Sequence, residues 1–226
     1  MFRPWRCRVK LDAFHFMRRF TQGLTTETHP LYPSFCSKLS SCIFVWDEQD
    51  IARLRKAKKA ELKMQYGGHE PSEAQVTAKI SAGELARHCR RQTRGVEDTR
   101  VMIQGLLDAM WNLTDSTGLP FINKEVMATV WATQQKHLAC IQDAPGVSLY
   151  TKTGHLEKGG KVLDVLRCAR GSSSLESFHR HQCAFIPGFR CNAVHTQMYM
   201  LEGLSRWNLP LGGDGGLAAD IRSMLM

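Results

Sequence analysis

The chain has 226 residues, with 30 Lys and Arg against 21 Asp and Glu, which gives a formal net charge of +9. Hydrophobic residues at 43% and charged residues at 23% are the balance of a chain with a buried core, not of a disordered tail or a fibre. No window approaches the ~18 uninterrupted apolar residues of a membrane span, and the basic start MFRPWRCRVK lacks the apolar stretch of a signal peptide. The sequence therefore predicts an intracellular protein, nuclear or cytoplasmic, with no membrane partner.

Taken in order, residues 9–12 read as the end of a short strand. A helix follows over 13–20, with Phe16 and Phe20 four apart on one face. Residues 23–30 are a loop rich in Thr and Gly, and 31–45 are apolar enough for a buried helix, although Phe44, Val45 and Trp46 could extend. Asp47-Glu48-Gln49-Asp50 is an acidic helix start that suits the positive end of the helix dipole. That helix should reach about residue 65 and stop at Gly67-Gly68; basic nearly all round, it is expected to be exposed.

Pro71-Ser72 opens a helix to about 80, and Ser81-x-x-Glu84 fits a capping box for another to about 91. Residues 96–113 form a helix with Val96, Ile103, Leu106, Leu107 and Met110 on its apolar side. Asn123 caps a long helix to about 141, striped by Met127, Val130, Trp131, Leu138 and Ile141. After Pro145-Gly146, residues 147–151 and 161–168 read as a β-hairpin whose turn lies in 154–160. A helix from the serines at 172–174 to about 186 and a last helix over 192–207 follow. The Gly-rich residues 209–226 are expected to be a flexible tail.

The eight cysteines are scattered with no CxxC pair, which points to reduced thiols, not a disulfide framework. The basic residues fall in three groups. The first is Arg3, Arg6, Arg8, Lys10, Arg18 and Arg19; the second is Arg53, Arg55, Lys56, Lys58, Lys59 and Lys63; the third is Arg87, Arg90, Arg91, Arg94 and Arg100. A single group of this kind is as well explained by a solvated helix face, but three together favour a salt-dependent, non-specific DNA contact. Arg18, Arg19, Arg53, Lys56, Lys59, Lys63, Arg90 and Arg91 are the candidate DNA-binding residues.

Three segments could carry chemistry. Asp12-x-x-His15 ends a predicted strand, where α/β folds place ligands, and a helix cap is the plain alternative. Glu176 stands in the first turn of a predicted helix behind a flexible serine run, with His179 beyond it; on spacing alone a plain capped helix start explains it better. His179-x-His181-x-Cys183, with Cys191 and His195, has the residue types of a zinc site, but alternate residues on a helix point to different faces. No GxGxxG, P-loop, GxSxG or HExxH occurs, and nothing pairs a cysteine with a histidine as a protease would.

Val9-Lys10-Leu11-Asp12-Ala13-Phe14-His15-Phe16 resembles the second-acid segment of RNase H-like DDE transposases of the Mutator-like kind, where a strand ends in Asp with His shortly after. Arg170-Gly171-Ser172-Ser173-Ser174-Leu175-Glu176-Ser177-Phe178-His179 resembles their final-acid segment, where a polar loop leads into a helix bearing the catalytic Glu. Those families carry a helical insertion between the two acids, which matches residues 21–146. Over roughly residues 9–208 the chain also looks like transposon-derived animal proteins, in runs such as His29-Pro30-Leu31-Tyr32, Leu39-Ser40-Ser41-Cys42-Ile43-Phe44, His88-Cys89-Arg90-Arg91 and Leu201-Glu202-Gly203-Leu204-Ser205-Arg206-Trp207-Asn208. It departs from the transposase pattern in the serine run before Glu176, in His179 where an Asn is usual, and in the first acid, since only 11 residues precede Asp12.

The resemblance implies a helix-dominated α+β chain with a partial RNase H-like fold: a strand and helix in 1–20, a helical insertion over 21–146, and the hairpin and C-terminal helices of the core in 147–208. It implies Asp12 and Glu176 as remnant catalytic acids and Mg²⁺ ligands, with His15 and His179 in support. Strand transfer needs two divalent cations ~4 Å apart held by oxygen ligands. Asp12 and Glu176 supply at most half of that cage, and no spacing argument selects Asp143 or Asp164 as a substitute. The expected function is therefore DNA binding by a transposase-derived fragment without catalysis or cofactor. The alternatives are a protein-interaction module and a Mg²⁺-dependent nuclease. A truncated sheet would expose an edge for a partner chain to complete.

Overall fold

The computed structural model of the protein describes residues 10–186, 188 and 190–208. Cys7, Arg3, Arg6, Arg8 and the tail expected over 209–226 lie outside the described residues. The fold is α+β and helix-dominated, with two separate two-stranded antiparallel sheets. It divides into two compact units, Met1–Arg170 and Gly171–Met226.

In the first unit, helix α1 (Ala13–Phe20) starts at Asp12, whose Oδ1 accepts hydrogen bonds from the Phe14 and His15 amides at 2.6 and 3.2 Å. The strand expected before it is not found in the described residues 10–12, where the Leu11 amide donates to the Cys140 carbonyl at 3.0 Å. Capping is the job a short carboxylate does best at this position. Phe16 and Phe20 are fully buried and meet edge to face at 5.4 Å.

Helix α2 (Tyr32–Ile43) runs directly into β1 (Phe44–Trp46), which explains why residues 31–45 carry both helical and extended signals. Phe35 packs edge-on to Phe121 at 5.6 Å, and the His29 ring lies 4.8 Å from Phe121. The Leu31 amide donates to His29 Nδ1 at 3.1 Å, so this buried imidazole carries its proton on Nε2, facing the Leu119 carbonyl.

Helix α3 (Glu48–Gln65) is not the exposed helix its charge predicts. Asp50, Leu54, Ala57 and Leu62 form a buried stripe; Leu54 and Ala57 join Cys89 and Leu163 in a second apolar cluster backed by Trp46, Ile51, Ile80 and Leu85. The stripe escapes a periodicity search because it includes an aspartate and an alanine. Helices α4 (Glu73–Lys79) and α5 (Ala82–His88) each begin with a capping box, Ser72 with Gln75 and Ser81 with Glu84. Helix α5 stops at His88, short of the expected 91, because Arg91–Thr93 form β2, paired with β1 in the register Phe44↔Thr93, Val45↔Gln92, Trp46↔Arg91.

Helix α6 (Val96–Met110) buries Ile103, Leu106, Leu107 and Met110 as its spacing predicts. Helix α7 (Lys124–Gln134) is capped by Asn123 but ends earlier than expected, in a 3-10 turn over Gln135–His137. Leu138 and Ile141 beyond it are still buried. Helices α1, α2, α6 and α7 share one apolar core.

The hairpin is β3 (Tyr150–Lys158) and β4 (Lys161–Cys168). Its turn is Gly159-Gly160 alone, both left-handed at φ 55° and 69°, the two-residue connection whose twist matches paired strands. The predicted turn over 154–160 is therefore mostly strand, with a register irregularity between Lys152 and Gly154. The hairpin packs on α3 and α5, within the first unit. In the second unit, α8 (Ser173–Phe185) and α9 (Ala193–Asn208) pack through Phe178 and Trp207 at 5.5 Å. Gly203 lets α9 approach Phe185, since an added Cβ would lie 2.2 Å from that ring.

Candidate nucleic-acid interface

Strand β2 brings three arginines of the third basic group to one place. Arg90, Arg91 and Arg94 line a cleft of about 610 Å³ together with Arg170, Asp47, Asp143 and Tyr150. Alternation along an antiparallel pair turns the amides of Arg91 and Thr93 away from β1. They are taken by side chains: Arg91 N–H donates to the Tyr150 hydroxyl and Thr93 N–H to Asp143 Oδ2, each at 3.0 Å. The Arg91 carbonyl accepts from Arg170 Nη2 at 3.0 Å. The outer edge of β2 is thus closed by Tyr150, Asp143 and Arg170, and it is not open to a partner strand at these groups.

The four guanidiniums differ in how they are balanced. Arg170 forms a two-point pair with Asp143 at 2.7 and 2.9 Å; burial alone would favour its neutral form, but the Asp143 carboxylate more than offsets this and raises its pKa. Arg90 donates to Asp50 from its backbone and from Nε at 2.7 Å. Burial works against the charged form of Asp50, yet the hydrogen bonds from Arg90 and Arg53 win and bring its pKa down to about 2. Arg91 instead lies over the rings of Phe44 and Trp46, 4.2 and 5.8 Å from their centroids. Arg94 donates from Nε to the Ser41 carbonyl at 2.9 Å. Among the described residues neither Arg91 nor Arg94 has a carboxylate partner.

Of the eight residues expected to bind DNA, the cleft gathers only Arg90 and Arg91. Arg18 pairs with Glu27 at 3.3 Å and Arg19 donates to Gln134 at 3.2 Å. Arg53 pairs with Asp50. Lys59 reaches Glu70 and Glu73, and Lys63 reaches Glu70. Lys56 is exposed on α3, as is Arg55. Lys58 turns inward, where Lys58 and Lys158 meet Glu61 and Glu84 and hold the hairpin against α3 and α5. Much of the charge on α3 is therefore internally paired. Arg94, Arg170 and Tyr150 were not among the expected site residues. Only the density of arginines between 87 and 100 pointed there; no local pattern ties Arg170 to a strand so far away in sequence.

The expected metal-binding acids are placed otherwise. Asp12 caps α1, and Glu176, in the first turn of α8, accepts a hydrogen bond from the Ser172 hydroxyl at 2.5 Å. The two belong to different compact units. Asp143 is held by Arg170, and Asp164 pairs with Lys152 at 2.5 Å. His15 follows Asp12 in α1, and His179 lies in α8 beside Phe178. Residues 179–183 are helical, so His179, His181 and Cys183 do not face one point; His181 donates from Nδ1 to the Ser177 carbonyl at 3.0 Å and lies edge-on to Trp207 at 4.8 Å. Among the described residues no three His, Cys, Asp or Glu side chains gather to hold a metal. The seven described cysteines are free thiols, and burial pushes the Cys89 thiol up to about 11.

Among the described residues no helix is long and apolar enough to cross a membrane. No family model matches the chain, and neither a curated protein nor a solved structure matches it. Fold and site together define a helix-dominated α+β protein with an arginine-lined cleft.

Proposed function

We propose that the chain is a transposase-derived protein that binds DNA through its basic surface and does not carry out strand transfer. One observation carries the reading: four arginines meet two aspartates at a single cleft, on a chain with a formal net charge of +9. A cleft with surplus guanidinium charge concentrates phosphate and releases counterions when it binds. The transposase origin and the partial RNase H-like fold rest on the two acid segments, and Glu176 in the first turn of α8 is the arrangement they imply. The pairing of Asp143 with Arg170 and of Asp164 with Lys152 supports the loss of catalysis. A nuclear location goes with this reading.

The test is fluorescence anisotropy with a labelled duplex at low and at physiological salt. Affinity that falls steeply with salt is the expected result; an affinity independent of salt, or no binding, overturns the reading. Mg²⁺-dependent nicking that disappears in Glu176→Ala would restore the nuclease alternative. The protein-interaction alternative is favoured by the apolar side chains exposed in the second unit, Leu175, Val194, Met198 and Leu201. A pull-down that survives nuclease treatment would support it.

A further inference from the structure

The cleft beside β2 has two kinds of wall. One is cationic: Arg91 and Arg94, the two guanidiniums there without a carboxylate partner among the described residues. The other is apolar and comes from the segment that leads into β3, with Val147, Leu149 and the ring of Tyr150. Val147 is 51% exposed in that wall.

Both guanidiniums are held in position. Arg91 is stacked against Phe44 and Trp46, and its backbone amide is fixed on the Tyr150 hydroxyl. Arg94 is anchored by Nε on the Ser41 carbonyl and by its amide on the Ile43 carbonyl. A pre-positioned planar fork loses little freedom when it takes up a phosphate. A third cation, Arg170, lies 5.0 Å from the same Phe44 ring. With one carboxylate, Asp143, against that pair of neighbours, an anion relieves their repulsion.

From this geometry, and resting on the DNA-binding reading above, we infer that the cleft takes an unpaired DNA strand, not a duplex. Phosphate oxygens are received by Arg91 and Arg94, and a sugar or base face lies on Val147, Leu149 and Tyr150. The cleft, of about 610 Å³, has room for a nucleotide of a single strand. A duplex could offer phosphates to the two arginines, but its bases are stacked inside the helix, so only an unpaired strand can lay a base face on the apolar wall. Cationic groups that follow the backbone beside an apolar or aromatic platform are the general means of holding single strands without sequence preference.

The experiment uses the full chain and a labelled oligothymidine of about ten nucleotides, within the site sizes of single-strand binders. The labelled strand is competed with unlabelled strand and with duplex at equal phosphate concentration. The single strand should compete better, and Arg94→Gln should weaken binding about tenfold. Lys79→Gln, an exposed charge on α4 outside the cleft, should leave binding unchanged. Because an arginine variant could fold poorly, the wild-type chain is also photocross-linked to a strand carrying 4-thiothymidine. Cross-links within residues 90–95 or 142–150 are expected. Cross-links elsewhere or none, or a duplex that competes equally, overturn the inference while salt-dependent DNA binding stands. Failure to bind any DNA overturns both.

Discussion

Asp143 and Arg170 are joined at two points, Nε to Oδ1 at 2.9 Å and Nη2 to Oδ2 at 2.7 Å. The pair does more than neutralise charge. Asp143 Oδ2 also takes the Thr93 amide, Thr93 Oγ1 takes the Asp143 amide at 2.9 Å, and Arg170 Nη2 also donates to the Arg91 carbonyl. A residue after β4 and a residue before β3 thus close the outer edge of β2.

Removing the carboxylate leaves Arg170, whose side chain is only 12% exposed, without its counter-charge. Breaking one partner of such a pair costs about 3 kcal/mol. Asp143→Asn should destabilise the chain by that order in urea unfolding. It should also speed hydrogen exchange at the Thr93 amide relative to the core of α6.

Two other carboxylates set the response to acid. Asp50 is held at about 2 by Arg90 and Arg53 against the cost of burial, and Glu84 at about 2 by Lys158, the Ser81 amide and Lys58 against the same cost. Both values lie below those of the unfolded chain, so the stabilisation is complete above about pH 4.5 and is lost as pH falls through the folded values. Asp50 contributes about 2 kcal/mol and Glu84 about 3 kcal/mol at neutral pH. Stability measured by denaturant should be flat from neutral to about pH 5 and fall steeply toward pH 2. Glu84→Gln should be less stable at neutral pH and show a shallower fall.

The hairpin tip distinguishes two adjacent glycines. A Cβ on Gly159 would lie 2.5 Å from the Glu61 amide nitrogen, whereas one on Gly160 would meet nothing within 4 Å. Both have positive φ, but only Gly159 is pressed on the α3 backbone. Gly159→Ala should cost about 2 kcal/mol or more through strain and displacement of the tip. Gly160→Asn should be close to neutral, since Asn tolerates the left-handed region. Equal thermal shifts for the two would contradict the packing of the tip on α3.

What could be read from the sequence follows from where the information lies. Helices α1 and α6 repeat their apolar residues locally, and Ser81 with Glu84 announces its cap within four positions, so these were legible. Strand β2 was not: Arg91-Gln92-Thr93 has no apolar alternation, and its partners are β1, Asp143, Tyr150 and Arg170, all far away in sequence. Helix α3 misled for a related reason. Its lysines and Asp50 look solvated until Glu84, Lys158 and Arg90 arrive from other elements. The charge was legible as a quantity, and its placement in one cleft depended on the fold.

The most direct measurement of the central claim is the salt dependence of single-strand binding by wild type and by the Arg91→Gln, Arg94→Gln double variant. Each phosphate neutralised on a single strand contributes about 0.7 to the slope of log affinity against log salt. The cleft account predicts weaker binding by the double variant, with a slope smaller by about 1.4. An unchanged slope and affinity in a variant that unfolds cooperatively would contradict it and place DNA contacts, if any, outside the cleft.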